Sequence, residues 1–176
     1  FPDARIVLMI RNPVDHVFSL MKQDALFKKM HQKHPRSIET MHLSGHFEFG
    51  LGRRLIHIDG TQTRYIEQLF EQGKDVQAWA SYWTMIYEYI HSFLNEAPHL
   101  TKNLFLCPYE TLCDSPTDMI ENIIKFSNLE KNISLVENAK TTIKAPSYYT
   151  HTFSAEEVDT IQEITSHIAQ KFGYEI

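Results

Sequence analysis

Apolar residues along this chain fall into blocks with distinct periods. Ile6 to Ile10 form an unbroken apolar run, too short for a typical helix and bounded by Arg5 and Arg11. Such a run predicts a strand buried on both faces, central in a parallel sheet. Immediately after it, Val14, Val17, Phe18 and Met21 recur at helical spacing and predict a helix facing that sheet. Asn12 suits its N-cap and Pro13 its first turn, where a missing N–H costs nothing. Over 75–97 the residues Trp79, Trp83, Ile86, Tyr87, Ile90, Phe93 and Leu94 keep a helical repeat ahead of Pro98. This aromatic stripe reads as core rather than as a ligand platform, since burial demands that spacing.

A second short buried strand is predicted at 104–107, ending in Pro108-Tyr109-Glu110. Ser115 and Pro116 then cap and open a helix carrying Met119, Ile120, Ile123 and Ile124. The stretch 131–152 reads as loop with one short helix near 135–140. Ser154 with Glu157 forms a capping box for a last helix, whose apolar face is Val158, Ile161, Ile164, Ile168 and Phe172 and whose stop is Gly173. The intervening segment 24–74 is polar, His-rich and broken by Pro35, Gly45, Gly50, Gly52, Gly60 and Gly73. It reads as irregular, with short helices such as one at 64–71, and a long segment of that kind inside a domain is usually functional.

The first strand-to-helix junction carries the most chemistry. Arg11 lies just past the carboxyl end of a predicted parallel strand, the edge at which open α/β sheets bind ligands. A guanidinium fork holds two phosphate oxygens, and a hydroxyl or a helix N-terminus supplies neutral donors beside it. Ser19 stands eight residues on, two turns into the helix, and reaches only a phosphate lying alongside that stretch.

The pattern Arg11-Asn12-Pro13-x-Asp15 with Ser19 resembles the sulfotransferases that use 3′-phosphoadenylyl sulfate (PAPS) as donor. The likeness continues through 75–89, the strand and Tyr-Glu turn around Tyr109, the Asp-x-Pro turn at Asp114 to Pro116, and the final helix. The resemblance implies that Arg11 and Ser19 bind the 3′-phosphate of the nucleotide. Tyr109 matches the family tyrosine on the adenine side, although a packing tyrosine fits the same position. Glu110 is then structural, holding the turn through backbone hydrogen bonds. Lys144 falls near where the family places an Arg-Lys-Gly loop against the 3′-phosphate, which implies a nucleotide-binding role, but Thr142-Ile143-Lys144-Ala145-Pro146 departs from that pattern, and a solvated lysine is the competing reading. Segment 24–74 corresponds to the part that commonly supplies acceptor-binding elements.

The family's loop that cradles the 5′-phosphosulfate has no counterpart here, and neither GxxxxGK[ST] nor another Gly-rich turn follows a predicted strand, with 6 glycines in all. The chain is therefore expected to be the carboxyl-terminal portion of a longer sulfotransferase. Its catalytic base is expected upstream of Phe1, so no residue is assigned that role, and the portion alone is expected to be inactive. The implied fold is α/β, a P-loop-type three-layer core with a central parallel sheet flanked by helices, in one incomplete domain over 1–176. The implied reaction moves a sulfonyl group from PAPS to a hydroxyl or amine on a small-molecule or glycan acceptor, leaving 3′,5′-adenosine bisphosphate. Two rivals are a P-loop nucleotide kinase-like phosphotransferase and a non-catalytic nucleotide-binding module.

Composition narrows this little further. At 176 residues and 43% hydrophobic content the chain has enough apolar material for an ordinary soluble domain. A net charge of −5 with interspersed signs argues against nucleic acid as a partner. Cys107 and Cys113 are too few for a disulfide framework or a zinc site, read as buried or partly buried thiols, and fit a reducing, cytoplasmic setting. No apolar stretch reaches the roughly 20 residues of a membrane span. His31, His34, His42, His46 and His57 invite a metal site, with His42 and His46 on one face if that stretch is helical, but no HExxH or Cys partner accompanies them and no metal ligand is assigned.

Overall fold

The computed structural model describes residues 3–145 and 151–176. In chain order its elements are β1 (Ile6–Ile10), α1 (Pro13–Lys33), α2 (Arg36–Leu43), α3 (Gly60–Glu71), α4 (Asp75–Glu96), α5 (Pro98–Thr101), β2 (Leu104–Pro108), α6 (Tyr109–Asp114), α7 (Pro116–Phe126), α8 (Ile133–Thr142) and α9 (Ala155–Ala169), followed by a 3₁₀ turn at Gln170–Phe172. The protein is mixed α/β and mostly helical. Its contacts divide into two compact units: Phe1–Asn12 with Ile90–Thr152, and Pro13–Tyr89 with Phe153–Ile176.

The first unit is built on a parallel pair. β1 and β2 run in one register from Ile6↔Leu104 to Ile10↔Pro108. Among the described residues the sheet has only these two strands, so β1 is not central. Nor is it buried on both faces: Ile6 and Met9 are 56% and 51% exposed, and Leu106 of β2 is 40% exposed. The reason is that this unit's helices α5, α6 and α7 pack against β2, and burial is reached only at the carboxyl ends, at Ile10 and Cys107. Cys107, Leu112 and Met119 form the core there, with Phe105, Ile120, Ile123 and Ile143 against them. Arg5 lies over the Phe126 ring, 5.5 Å from its centroid, and donates to the Phe126 carbonyl, which ties the start of β1 to the end of α7.

The second unit is helical. Trp79, Trp83 and Tyr87 of α4 are buried, as a core stripe requires, and Trp83 stacks on Tyr87 at 4.1 Å between centroids. Trp83 Nε1 donates to His16 Nδ1 of α1 at 3.1 Å, and Thr84 Oγ1 donates to the Ile164 carbonyl of α9 at 3.2 Å. Ile66, Leu69, Ala78 and Met85 join α3 to α4, with Leu55 and Ile58 of the preceding loop packed on them. α1 packs along α9, where Phe18 meets Phe153 edge-on at 5.5 Å.

Segment 24–74 is more regular than its composition suggests. α1 continues to Lys33, α2 follows after a break at Pro35, and α3 runs from Gly60 to Glu71, leaving 44–59 as the one long stretch without helix. Polar residues on an exposed helical face do not interrupt the backbone ladder, and the true breaks coincide with Pro35 and the glycines at 45, 50 and 52. The short helix expected near 135–140 is α8, capped by Asn132, whose side chain accepts from the Leu135 N–H at 3.0 Å. The remainder of that predicted loop at 146–150, with Pro146 of the Lys144 motif, lies outside the described residues.

The two predicted serine caps have different outcomes. Ser154 is extended (φ −66°, ψ 164°) and completes its capping box: its Oγ accepts the Glu157 N–H at 3.2 Å and Glu157 returns a bond to the Ser154 N–H at 2.8 Å. Ser115 sits at φ −133°, ψ 61°, pressed between the end of α6 and the start of α7, and its hydroxyl makes no capping bond, although Pro116 does open the helix. Ser154→Ala is therefore expected to lower stability by about 1 kcal/mol, whereas Ser115→Ala stays within about 0.5 kcal/mol. Urea denaturation of both variants checks the difference.

Candidate functional site

The β1–β2 register determines what meets at the carboxyl edge of the sheet. Ile10 pairs with Pro108, so the next residues along each chain, Arg11 and Tyr109, leave the strands side by side. The Arg11 guanidinium lies over the Tyr109 ring at 4.8 Å from its centroid. One residue further, the Asn12 N–H donates to Glu110 Oε1 at 2.8 Å. Glu110 thus holds the turn through the backbone, the role expected of it. Arg11 is half-buried, and the aromatic face fixes the plane of its fork.

Ser19 is half-buried in the second turn of α1, within the helical unit. Lys144 is exposed and lines a cavity of about 460 Å³ with Lys140, Cys113 and the residues at the start of α7, and neither Arg11 nor Tyr109 is in its wall. Cys113 is partly buried and Cys107 fully buried, both as free thiols, and burial pushes the Cys107 thiol upward, away from the reactive thiolate.

The histidines of 24–74 turn out to organise a loop. Among the described residues no group of three or more His, Cys, Asp or Glu is placed to hold a metal ion. His31 is buried, its Nδ1 accepts the Leu51 N–H at 3.1 Å, and its Nε2 lies 3.1 Å from Met41 Sδ. His42 Nε2 donates to the Gly52 carbonyl at 2.9 Å. α2 ends at Leu43, so His46 does not share a helical face with His42.

Asp24, buried within α1, completes this arrangement. Its Oδ1 accepts the Gly50 N–H at 2.8 Å, while Oδ2 meets Lys28 Nζ at 2.8 Å and Arg53 at 2.7 Å. The Arg53 guanidinium in turn covers Phe70 at 3.7 Å from the ring centroid. The loop so held walls a cavity of about 330 Å³ with α1 and α4, lined by Leu20, Glu48, Phe49, Arg54, Trp79 and Tyr82. Tyr82 Oη accepts the Ile56 N–H at 3.1 Å; burial and the Glu48 charge push its phenol up, so the hydroxyl stays protonated at neutral pH. Sequence reasoning missed this cavity and the Asp24–Arg53 pair. The available signal was the Gly50-x-Gly52-Arg53-Arg54 turn, which names no partner 26 residues away.

Gly50 itself is constrained twice, by φ 81° and by the approach of His31, since a Cβ at Gly50 would lie 2.4 Å from Nδ1. Gly45 has the same φ of 81° with nothing within 4 Å of its would-be Cβ. Gly45→Ala is expected to cost about 1–2 kcal/mol for the left-handed backbone alone, and Gly50→Ala about 3 kcal/mol or more through added overpacking. Equal midpoints for the two variants in urea would contradict the clamp.

A family model described as "Sulfotransferase domain" matches residues 1–172. No curated protein and no solved structure matches the chain. No helix among the described residues is long and apolar enough to cross a membrane.

Proposed function

Because the chain belongs to the sulfotransferase domain family, and its activity is accordingly sulfonyl transfer, we propose that the donor is PAPS, with Arg11 holding its 3′-phosphate. The observation that carries this reading is the pairing of Arg11 and Tyr109 at the carboxyl edge of two parallel strands. In this reading β1 and β2 belong to a P-loop-type three-layer core, Ser19 supplies a hydroxyl to the same phosphate, Tyr109 contacts the adenine side, and Lys144 is an outlying cation. Segment 24–74 provides the acceptor side.

The acceptor oxygen or nitrogen attacks sulfur in line, the bond from sulfur to the bridging phosphate oxygen breaks, and the acceptor proton passes to a base. Positioning and electrostatics supply most of the rate in transfers of this type. Arg11 acts remotely: phosphate binding far from the reacting centre fixes the donor so that the sulfur is presented in line. A guanidinium plane already set against an aromatic ring loses less freedom on binding than a solvated one, and Glu110 holds the adjacent backbone in register.

Calorimetric titration of the full-length protein tests the assignment. A charge-assisted bond of about 1.5–3 kcal/mol predicts that Arg11→Ala loses at least roughly tenfold in affinity for 3′,5′-adenosine bisphosphate while affecting adenosine 5′-phosphate much less. Equal losses for both nucleotides contradict 3′-phosphate binding by Arg11. Tight bisphosphate binding with no transfer to a broad acceptor panel would reassign the protein as a nucleotide-binding module.

A further inference from the structure

His31 and Met41 make a contact that the nucleotide chemistry does not use. His31 is 2% exposed, and its Nδ1 accepts the Leu51 N–H at 3.1 Å. A ring nitrogen that accepts carries no hydrogen, so the ring N–H is on Nε2. Nε2 lies 3.1 Å from Met41 Sδ, which makes the thioether the acceptor of that hydrogen. The ring cannot retreat on its other side, because a Cβ at Gly50 would strike both Nδ1 and Cε1. Met41 itself is only partly buried, on a helix, α2, that has no buried residue, so a small solvent-borne oxidant reaches it.

Oxidation changes what the sulfur can do. In a thioether the hydrogen is accepted by a sulfur lone pair, whereas in a sulfoxide one pair has become the bond to oxygen and the oxygen is the acceptor. An N–H···O bond needs about 2.9 Å between nitrogen and oxygen. An oxygen placed between Met41 Sδ and His31 Nε2 therefore forces the two residues apart, and one placed on the other side of the sulfur leaves the Nε2–H without its acceptor. Either result disturbs a tie to the turn at 50–54. Displacing His31 releases the Leu51 N–H. Displacing α2 moves His42, the residue after Met41, whose Nε2 donates to the Gly52 carbonyl at 2.9 Å.

We propose that Met41 is a reversible oxidation site that sets how firmly the turn at 50–54 is held. The oxidant is hydrogen peroxide. The sulfur lone pair attacks one peroxide oxygen, the O–O bond breaks, and the departing hydroxide takes the proton of the transferred oxygen, leaving sulfoxide and water. Sulfur is oxidised by two electrons and the peroxide is reduced by two. A methionine sulfoxide reductase with a dithiol reverses the step, the oxygen leaving as water and the dithiol becoming a disulfide. The proposal uses none of the residues assigned to the nucleotide and stands apart from that assignment.

Peroxide treatment of the full-length protein tests it, with peptide mass spectrometry for the site of oxygen addition and amide hydrogen exchange for the turn. In the untreated protein the Leu51 N–H donates to His31, and the Arg53 and Arg54 N–H groups donate to the carbonyls of Gly50 and Phe47 at 3.2 and 2.8 Å. The expected result is an oxygen on Met41 and exchange about tenfold faster at these three amides, with the Trp83 amide of α4 unchanged. Treatment with the reductase restores the original rates. Met41→Leu, close to methionine in volume, offers neither an acceptor nor an oxidisable atom, so its turn exchanges about tenfold faster from the start and does not respond to peroxide. Met9→Leu removes a methionine that is 51% exposed and keeps the full response. Met41 left intact while Met9 is converted, unchanged exchange once Met41 is oxidised, or a Met41→Leu turn that exchanges like the unsubstituted one overturns the proposal. Equal acceleration at Trp83 marks global unfolding and overturns it as well.

Discussion

Parallel pairing in a single register is the constraint on which the rest of this molecule's chemistry depends. Hydrogen bonding from Ile6↔Leu104 to Ile10↔Pro108 leaves no choice about which residues emerge together at the carboxyl edge. Arg11 meets Tyr109 and Asn12 meets Glu110, two consecutive cross-strand partnerships that continue the pairing beyond the sheet. A slip of one residue would turn the buried side chains of Ile10 and Cys107 outward and separate the cation from its ring. The strands are short and partly exposed, so their pairing is specified mainly at that end, where burial and the Glu110 bond coincide.

A second constraint organises the helical unit. Asp24 is an acidic side chain buried within a packed helix, and its burial is tolerable because both oxygens are engaged by Gly50, Lys28 and Arg53. Removing both Lys28 and Arg53 would leave this carboxyl without a cationic partner. The result is that a loop rich in glycine and histidine, a composition associated with disorder or metal binding, becomes a rigid wall. Histidines of the preceding helices act as hydrogen-bonding spacers: His31 of α1 and His42 of α2 each take up one backbone group of that loop.

These two arrangements divide the tasks expected of a group-transfer protein. The strand unit presents a half-buried cation at a strand edge, suited to an anion. The helical unit presents a cavity lined by Phe49, Trp79 and Tyr82 together with Glu48 and Arg54.

What the sequence alone determined was local. Both strands, the start of α1 at Pro13, the extent of α4, the Ser154–Glu157 box and the Gly173 stop follow from periodicity, proline placement and capping chemistry, because each depends on residues within one or two turns. The structural role of Glu110 came from the family resemblance, since its position at a strand end alone equally suits a general base. Tertiary structure decided the rest. Whether the apolar residues of β1 are covered depends on which elements pack over them, which periodicity does not encode. The failure of Ser115 to cap follows from the backbone angle that α6 imposes on it. Asp24 and Arg53 sit 29 residues apart in sequence, as ordinary in isolation as any helix-surface aspartate and loop arginine, and acquire a purpose only when the chain folds one against the other and removes the water between them.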